Sequence, residues 1–324
     1  MTGAVRAPAA PAARLGILVV YFLPDERLPI LDLHLRAIAG RTSGPYTLYG
    51  VAPRVSDSVR QRLAREPQLT LLQFPPVQAV GSQEHAHYLD LLADHAVADG
   101  CDRLCTMDVD AFPIRPDWNA QLEKFLQQGS ALAAVFRQEN GDTALPHPSC
   151  CYFPAGFYQR YRPAFLPEAG PGADPAFTTF LARTGQKVDA GIGLGHVLWQ
   201  HQLPWKRLLR TNQVNDHYLL AGIYGDLVFH VGAMSWTDRD FRQDRRQTPL
   251  LRLLDAVADG LRSAGLLRGR VAGLWRRANH LASRPLVRRT NQTFQTVLAA
   301  LDADADGYIA RLRGQPHLQL RPTP

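Results

Sequence analysis

Asp108 and Asp110 stand one residue apart at the end of the run Arg103-Leu104-Cys105-Thr106-Met107. Two carboxylates at that spacing suit the grip of a single divalent cation. The apolar run reads as a buried strand, and period-two alternation along it would project both acids to one face. Two anions held side by side repel each other, and a cation is the usual remedy. The competing reading is a turn or a helix cap, favoured by Pro113 and Pro116 just downstream. The pattern alone means little, as Asp302, Asp304 and Asp306 show. That second run imitates a calcium loop but has Arg313 where a bidentate Glu belongs, and it reads as a helix-capping turn. What sets Asp108 apart is its place between long helical segments.

The elements that must position the pair alternate regularly. Strands are expected at 15–22, 46–51 and 69–74, with helices at 31–39, 56–66 and 82–98, the last capped by Ser82. The strand carrying Asp108 is the fourth. A helix over 118–127, strands over 131–137 and 149–153, and a helix over 176–184 follow. An aromatic and histidine-rich region (His196, Trp199, His201, Trp205, His217) then leads to a last strand, 226–230. This order predicts an α/β fold, a mainly parallel sheet flanked by helices, with ligands bound beyond the carboxyl ends of the strands. Residues 1–13 are rich in Ala and Pro and are expected to be a disordered tail. Residues 14–240 form the expected α/β domain, and 241–324 an Arg-rich helical C-terminal extension.

The 324 residues, 46% of them hydrophobic, are ample for a large core. The net charge of +7 comes almost wholly from arginine, since Lys124, Lys187 and Lys206 are the only lysines. Cys101, Cys105, Cys150 and Cys151 lack zinc spacing and disulfide-scaffold density, so reduced thiols in a cytoplasmic protein are expected. The early apolar run, Leu15 to Leu23, is too short to span a bilayer.

With the late strand ending in His230-Val231-Gly232 and followed by Trp236, the chain resembles the metal-dependent (DxD) glycosyltransferases of the GT-A fold over roughly residues 14 to 240. The resemblance implies a hexosyltransferase-like enzyme that moves a sugar from a nucleotide-diphosphate sugar, a UDP-sugar first, to an acceptor hydroxyl. It implies Asp108, Asp110 and His230 as ligands of Mn²⁺ or Mg²⁺. It places Val20, Tyr21, Phe22, Ser82, His85, Asp108, Gly232 and Trp236 around the donor. Asp174, where a flexible connection opens a helix, becomes the acceptor base, against the simpler reading that it caps that helix with Pro175. Some members carry a Lys-Pro before the Trp; here Ala233, Met234 and Ser235 fill the gap, with Arg239 or Arg242 as substitutes.

Two alternatives share features with this reading. A nucleotidyltransferase has a related core but opens with a Gly-rich basic loop, which Val20-Tyr21-Phe22-Leu23-Pro24 is not. A non-catalytic nucleotide-sugar-binding protein would keep the site without turnover. A lesion-bypass polymerase is excluded by order, because three strand-helix units precede the acidic pair. In the extension, Thr248-Pro249 starts a helix with Leu250, Leu254, Val257 and Leu261 on one stripe. A second helix carries Leu267, Val271, Leu274, Ala278 and Leu281 among arginines. Such stripes pack on the core, pair in a homodimer or meet an anionic membrane surface; nucleic acid is not expected.

Overall fold

Strand β1 (Leu15–Val20) is buried along its whole length, as a strand covered on both faces must be. The structure, a computed structural model, describes residues 13–24, 27–168, 170, 172–234 and 239–315; Trp236 and most of the expected N-terminal tail lie outside them. The chain divides into two compact units, Met1–Gln213 with Gly222–His230, and Val214–Ala221 with Val231–Pro324.

In the first unit β1 is followed by α1 (Leu28–Arg41), β2 (Tyr46–Val51), α2 (Asp57–Leu63), β3 (Leu69–Leu72), α3 (Ser82–Ala98) and β4 (Arg103–Thr106). Then come β5 (Ala111–Pro113), α4 (Trp118–Gln127), β6 (Ala133–Val135), β7 (His147–Pro154), α5 (Ala155–Tyr161), α6 (Pro175–Thr184) and α7 (Ile192–Gln200). Three short strands close the unit: β8 (Lys206–Leu208), β9 (Gly222–Tyr224) and β10 (Val228–His230).

The main sheet has the order β3-β2-β1-β4-β7-β6-β8. Its first four strands run parallel, as do β6 and β8, while β7 is antiparallel to both neighbours. This is the mainly parallel α/β sheet that the strand-helix alternation predicts. Period-two alternation sends Ile17 and Val19 into one core with Leu31, Leu35 and Ile38 of α1, and Leu18 and Val20 into another with Leu89, Leu92 and Ala96 of α3. Each such fully buried aliphatic side chain stabilises by roughly 1.5–3 kcal/mol. The four cysteines are free and buried.

A second sheet, β5-β10-β9, is antiparallel. The last strand therefore departs from the expectation for 226–230. Gly225 and Asp226, at φ +59 and +57, form the turn between β9 and β10, and pairing starts only at Val228. A further difference is at Ser82, whose hydroxyl does not cap α3; the N-cap position is Gly81, and Ser82 Oγ donates to Asp189 Oδ1 at 2.6 Å.

In the second unit α8 (Arg242–Gln247), α9 (Pro249–Ser263) and α10 (Gly269–Leu312) form the helical extension. Buried Arg245 ties them together through Asp240 at 2.7 Å, both carboxylate oxygens of Asp255, and Asn279 Oδ1 at 2.7 Å. The Asp302–Asp306 run is a capping turn, as expected. Helical geometry breaks at Asp304, whose Oδ1 accepts from Gly307 N at 3.0 Å.

Candidate functional site

The strand that leads to the acidic pair stops before reaching it. β4 ends at Thr106, Met107 N donates to Leu18 O, and Ala111 N donates to Asp108 O at 2.9 Å. Asp108 and Asp110 thus lie on a tight turn between the main sheet and the second one, not on a continuing strand. Alternation is therefore not what makes them converge. The turn hands the chain to β5, and β5 pairs with β10 so that His230 sits opposite Ala111. Cross-strand neighbours at that register lie within side-chain reach.

The outcome is a compact trio. His230 Nε2 is 3.4 Å from Asp110 Oδ1 and 3.8 Å from Asp108 Oδ2. One donor atom from each of the three lies within 4.8 Å of the others. Two hard carboxylates and an imidazole, gathered at the carboxyl end of a parallel strand, fit a divalent cation of the Mn²⁺ or Mg²⁺ type.

Electrostatics around the trio are mixed. Burial pushes the Asp108 carboxyl up, against the pull of His85 and His230 and with the added repulsion of Asp110. For His230, burial works downward, but Asp110 and Asp108 outweigh it and hold the imidazole above its ordinary value. His147, with its ring 5.6 Å from His230, is driven well below its ordinary value by burial and by Arg137. It is neutral, and its Nδ1 accepts from Ser149 N.

Three further groups support the site without being legible beforehand. His34 on α1 is fully buried, and its Nδ1 meets Ala111 O at 2.6 Å, which pins the backbone next to Asp110. Burial lowers its pKa to about 4, so the ring is neutral and Nδ1 is the donor. Arg137, just past β6, pairs with Asp142 at 3.1 Å and Asp189 at 3.6 Å, and its charge is felt at Asp108, His147 and His230. Asp189 in turn receives the Ser82 hydroxyl. An arginine closing an apolar strand carries no signal of its own in a chain this rich in arginine.

The expected donor residues divide. His85 Nε2 is 3.5 Å from Asp108 Oδ1, and its ring stands edge-on to Phe22 at 6.3 Å. Phe22 is also covered by Arg54, which pairs with Glu84 at 2.7 Å. Val20 ends β1 and is buried beside Val51 and Ala86. Tyr21 is wholly buried, its ring in the α1-side core. Gly232 belongs to the second unit. Its φ of +83 and the carbonyl of Leu219, 2.5 Å from where a Cβ would stand, require glycine there. Arg239 packs its guanidinium over Phe294, at 3.4 Å, and donates to Asn291. Asp174 caps α6, with Oδ1 accepting from Ala176 N at 2.9 Å and Pro175 in the first turn. The aromatic and histidine-rich region resolves into separate packing contacts. His196 and Trp199 lie against Phe180, His201 against Tyr161, and Trp205 against Phe136.

No protein-family model matches the chain, and no curated protein matches it. Among solved structures, residues 1–349 of TarS from S. aureus are similar at 9% identity and a TM-score of 0.35, over 47% of this chain and 50% of that one. The same protein in complex with UDP-GlcNAc gives 10% identity and a TM-score of 0.36, over 51% of this chain and 52% of that one. The chain thus spans about half the length of either TarS structure. The mannosyltransferase PcManGT from Pyrobaculum calidifontis, in complex with GDP-Man and Mn²⁺, is similar at 17% identity and a TM-score of 0.40, over 95% of this chain and 80% of that one. This chain's own mainly parallel sheet, flanked by helices, carries Asp108, Asp110 and His230 together.

Proposed function

We propose that the chain transfers a glycosyl group from a nucleoside-diphosphate sugar to an acceptor hydroxyl, with Asp108, Asp110 and His230 holding Mn²⁺ or Mg²⁺. The observation that carries this reading is the convergence of the three ligands beyond the carboxyl end of β4. In the transfer, the bond between the anomeric carbon and the diphosphate oxygen breaks and a bond to the acceptor oxygen forms. The acceptor proton passes to a base, for which Asp174 is proposed, and the nucleoside diphosphate leaves. When bound, the cation offsets the negative charge that grows on the diphosphate.

The chain's own residues prepare that site. His34 holds the Ala111 carbonyl, His85 stands by one carboxylate oxygen of Asp108 while His230 faces the other, and half-buried Arg137 adds positive charge near the carboxylates. Phe22 and His85 offer an edge of aromatic surface for the donor. A thermal-shift screen of UDP-, GDP- and dTDP-sugars, with and without Mn²⁺, tests the reading. A donor present at about 100 times its Kd stabilises by roughly 2.7 kcal/mol. A metal-dependent shift with one nucleotide series, absent in Asp108→Ala, is expected. Equal shifts with and without metal would remove the trio from donor binding.

A further inference from the structure

From Gly260 to Leu301 the chain holds eight arginines and no aspartate or glutamate. This stretch covers the end of α9 and the first three-quarters of α10. Several of its large apolar side chains, with others nearer the start of α9, are turned to solvent. In α9, Leu250 is 57% and Leu253 61% exposed; in α10, Leu274 is 67% and Leu281 56%. Solvated helices rarely show leucines so open in series.

The exposed leucines are not on the faces that hold the second unit together. α9 buries Leu251 and Ala258, and α10 turns Ser283, Thr290 and Phe294 inward. At 3.6 residues per turn, Val271, Leu274 and Leu281 fall on nearly the opposite side of α10 from that inward face. Arg277, Arg284 and Arg288 follow Leu274 or Leu281 at spacings of three or seven residues, so the charges flank the apolar stripe along its length. All three are exposed. Among the described residues, no helix is long and apolar enough to cross a membrane.

We infer that the exposed face of α9 and α10 lies on an anionic lipid surface, leucines in the headgroup and acyl boundary and arginines on the lipid phosphates. Charge selects this occupant. A second copy docked through the same face would set arginine against arginine, because a two-fold contact apposes like patches. A nucleic acid would satisfy the arginines but leave the leucines in water, whereas a bilayer takes both. This inference is independent of the proposed donor chemistry, since none of its residues belongs to the metal trio.

The test uses the full chain and co-sedimentation with vesicles of phosphatidylcholine alone or mixed with phosphatidylglycerol, alongside sedimentation velocity without lipid. The expected result is binding to the anionic vesicles, little to the neutral ones, release at raised salt, and a monomer in solution. Arg277→Gln/Arg284→Gln/Arg288→Gln should bind about 100-fold more weakly. Leu274→Gln/Leu281→Gln should also lose binding, while both variants melt as the parent does because all five positions are exposed. The inference is overturned if the chain stays in the supernatant with both lipids, or if it binds both equally. It is overturned as well if the parent is a dimer that the leucine variant dissolves, which would make the face an interface between copies.

Discussion

His230 stands opposite Ala111 across the β5–β10 ladder, and this register, not the spacing of the two acids, brings its Nε2 to 3.4 Å from Asp110 Oδ1. A one-residue slip would turn the imidazole to the other face of the small sheet. The placing of this Asp-Asp-His group is therefore as precise as a three-residue strand pairing.

Asp110→Asn should abolish metal-dependent stabilisation by nucleotide ligands, since it removes one anionic oxygen from the set. The metal-free protein should keep its stability within about 1 kcal/mol, because relief of the repulsion with Asp108 compensates for the weakened contact to His230. Melting curves with and without Mn²⁺ decide it. Parent-like metal dependence in the variant would exclude Asp110 as a ligand.

His34→Leu should cost roughly 1–3 kcal/mol by leaving the Ala111 carbonyl buried without its donor. Metal affinity should fall too, although no ligand is altered. The folded-state pKa of about 4 lies below the ordinary value of 6.5, so the unfolded chain takes up the proton first and His34 lowers stability as pH falls from 6.5 towards 4. In the leucine variant that part of the acid sensitivity should vanish, as urea titrations at pH 7 and pH 4.5 would show.

Asp90, on α3, accepts from Phe165 N at 3.0 Å in a setting whose burial raises its pKa to about 7. The native state binds this proton more tightly than the unfolded chain. Its stabilising effect is complete below the ordinary value of 3.8 and is lost as pH rises through about 7, with a slope of at most about 1.4 kcal/mol per pH unit. Asp90→Asn keeps the acceptor and removes the titration. The variant should gain on the parent between pH 5 and pH 8, and a constant difference in stability across that range would refute the assignment.

Arg137→Gln should destabilise the fold by about 1–3 kcal/mol, because buried Asp142 loses its charged partner, while the half-exposed Asp189 loses less. Arg137→Lys keeps the charge and should recover part of that loss. If the charge also serves the donor, KM for the nucleotide sugar should rise in the lysine variant more than its stability falls.

Asp174→Asn leaves an acceptor at the helix start, so stability should hold, whereas Asp174→Ala should cost about 1 kcal/mol. Turnover separates cap from base: a base loses most of kcat in the Asn variant. Unchanged turnover would leave Asp174 as a cap alone.

What the sequence determined by itself was local or periodic. The buried runs of β1, β2 and β4, the helical runs of α1 and α3, and the caps at Asp174 and Asp304 rest on neighbours a few residues apart, and they made the mainly parallel α/β fold legible. The acidic pair and the final histidine were legible as residue types. Tertiary structure decided how they meet. Asp110 and His230 are 120 residues apart, and nothing in either segment states that the chain leaves the main sheet at Met107 to pair β5 with β10. The supporting residues were hidden for the same reason. His34 matters only because α1 packs against β5, and Arg137 only because β6 ends beside Asp142 and Asp189. Ser82 shows the limit from the other side: its sequence suits a cap, yet a carboxylate 107 positions away offered a better partner for its hydroxyl than the backbone did. Hydrogen bonds and ion pairs between distant segments depend on register and packing, which a local pattern does not contain.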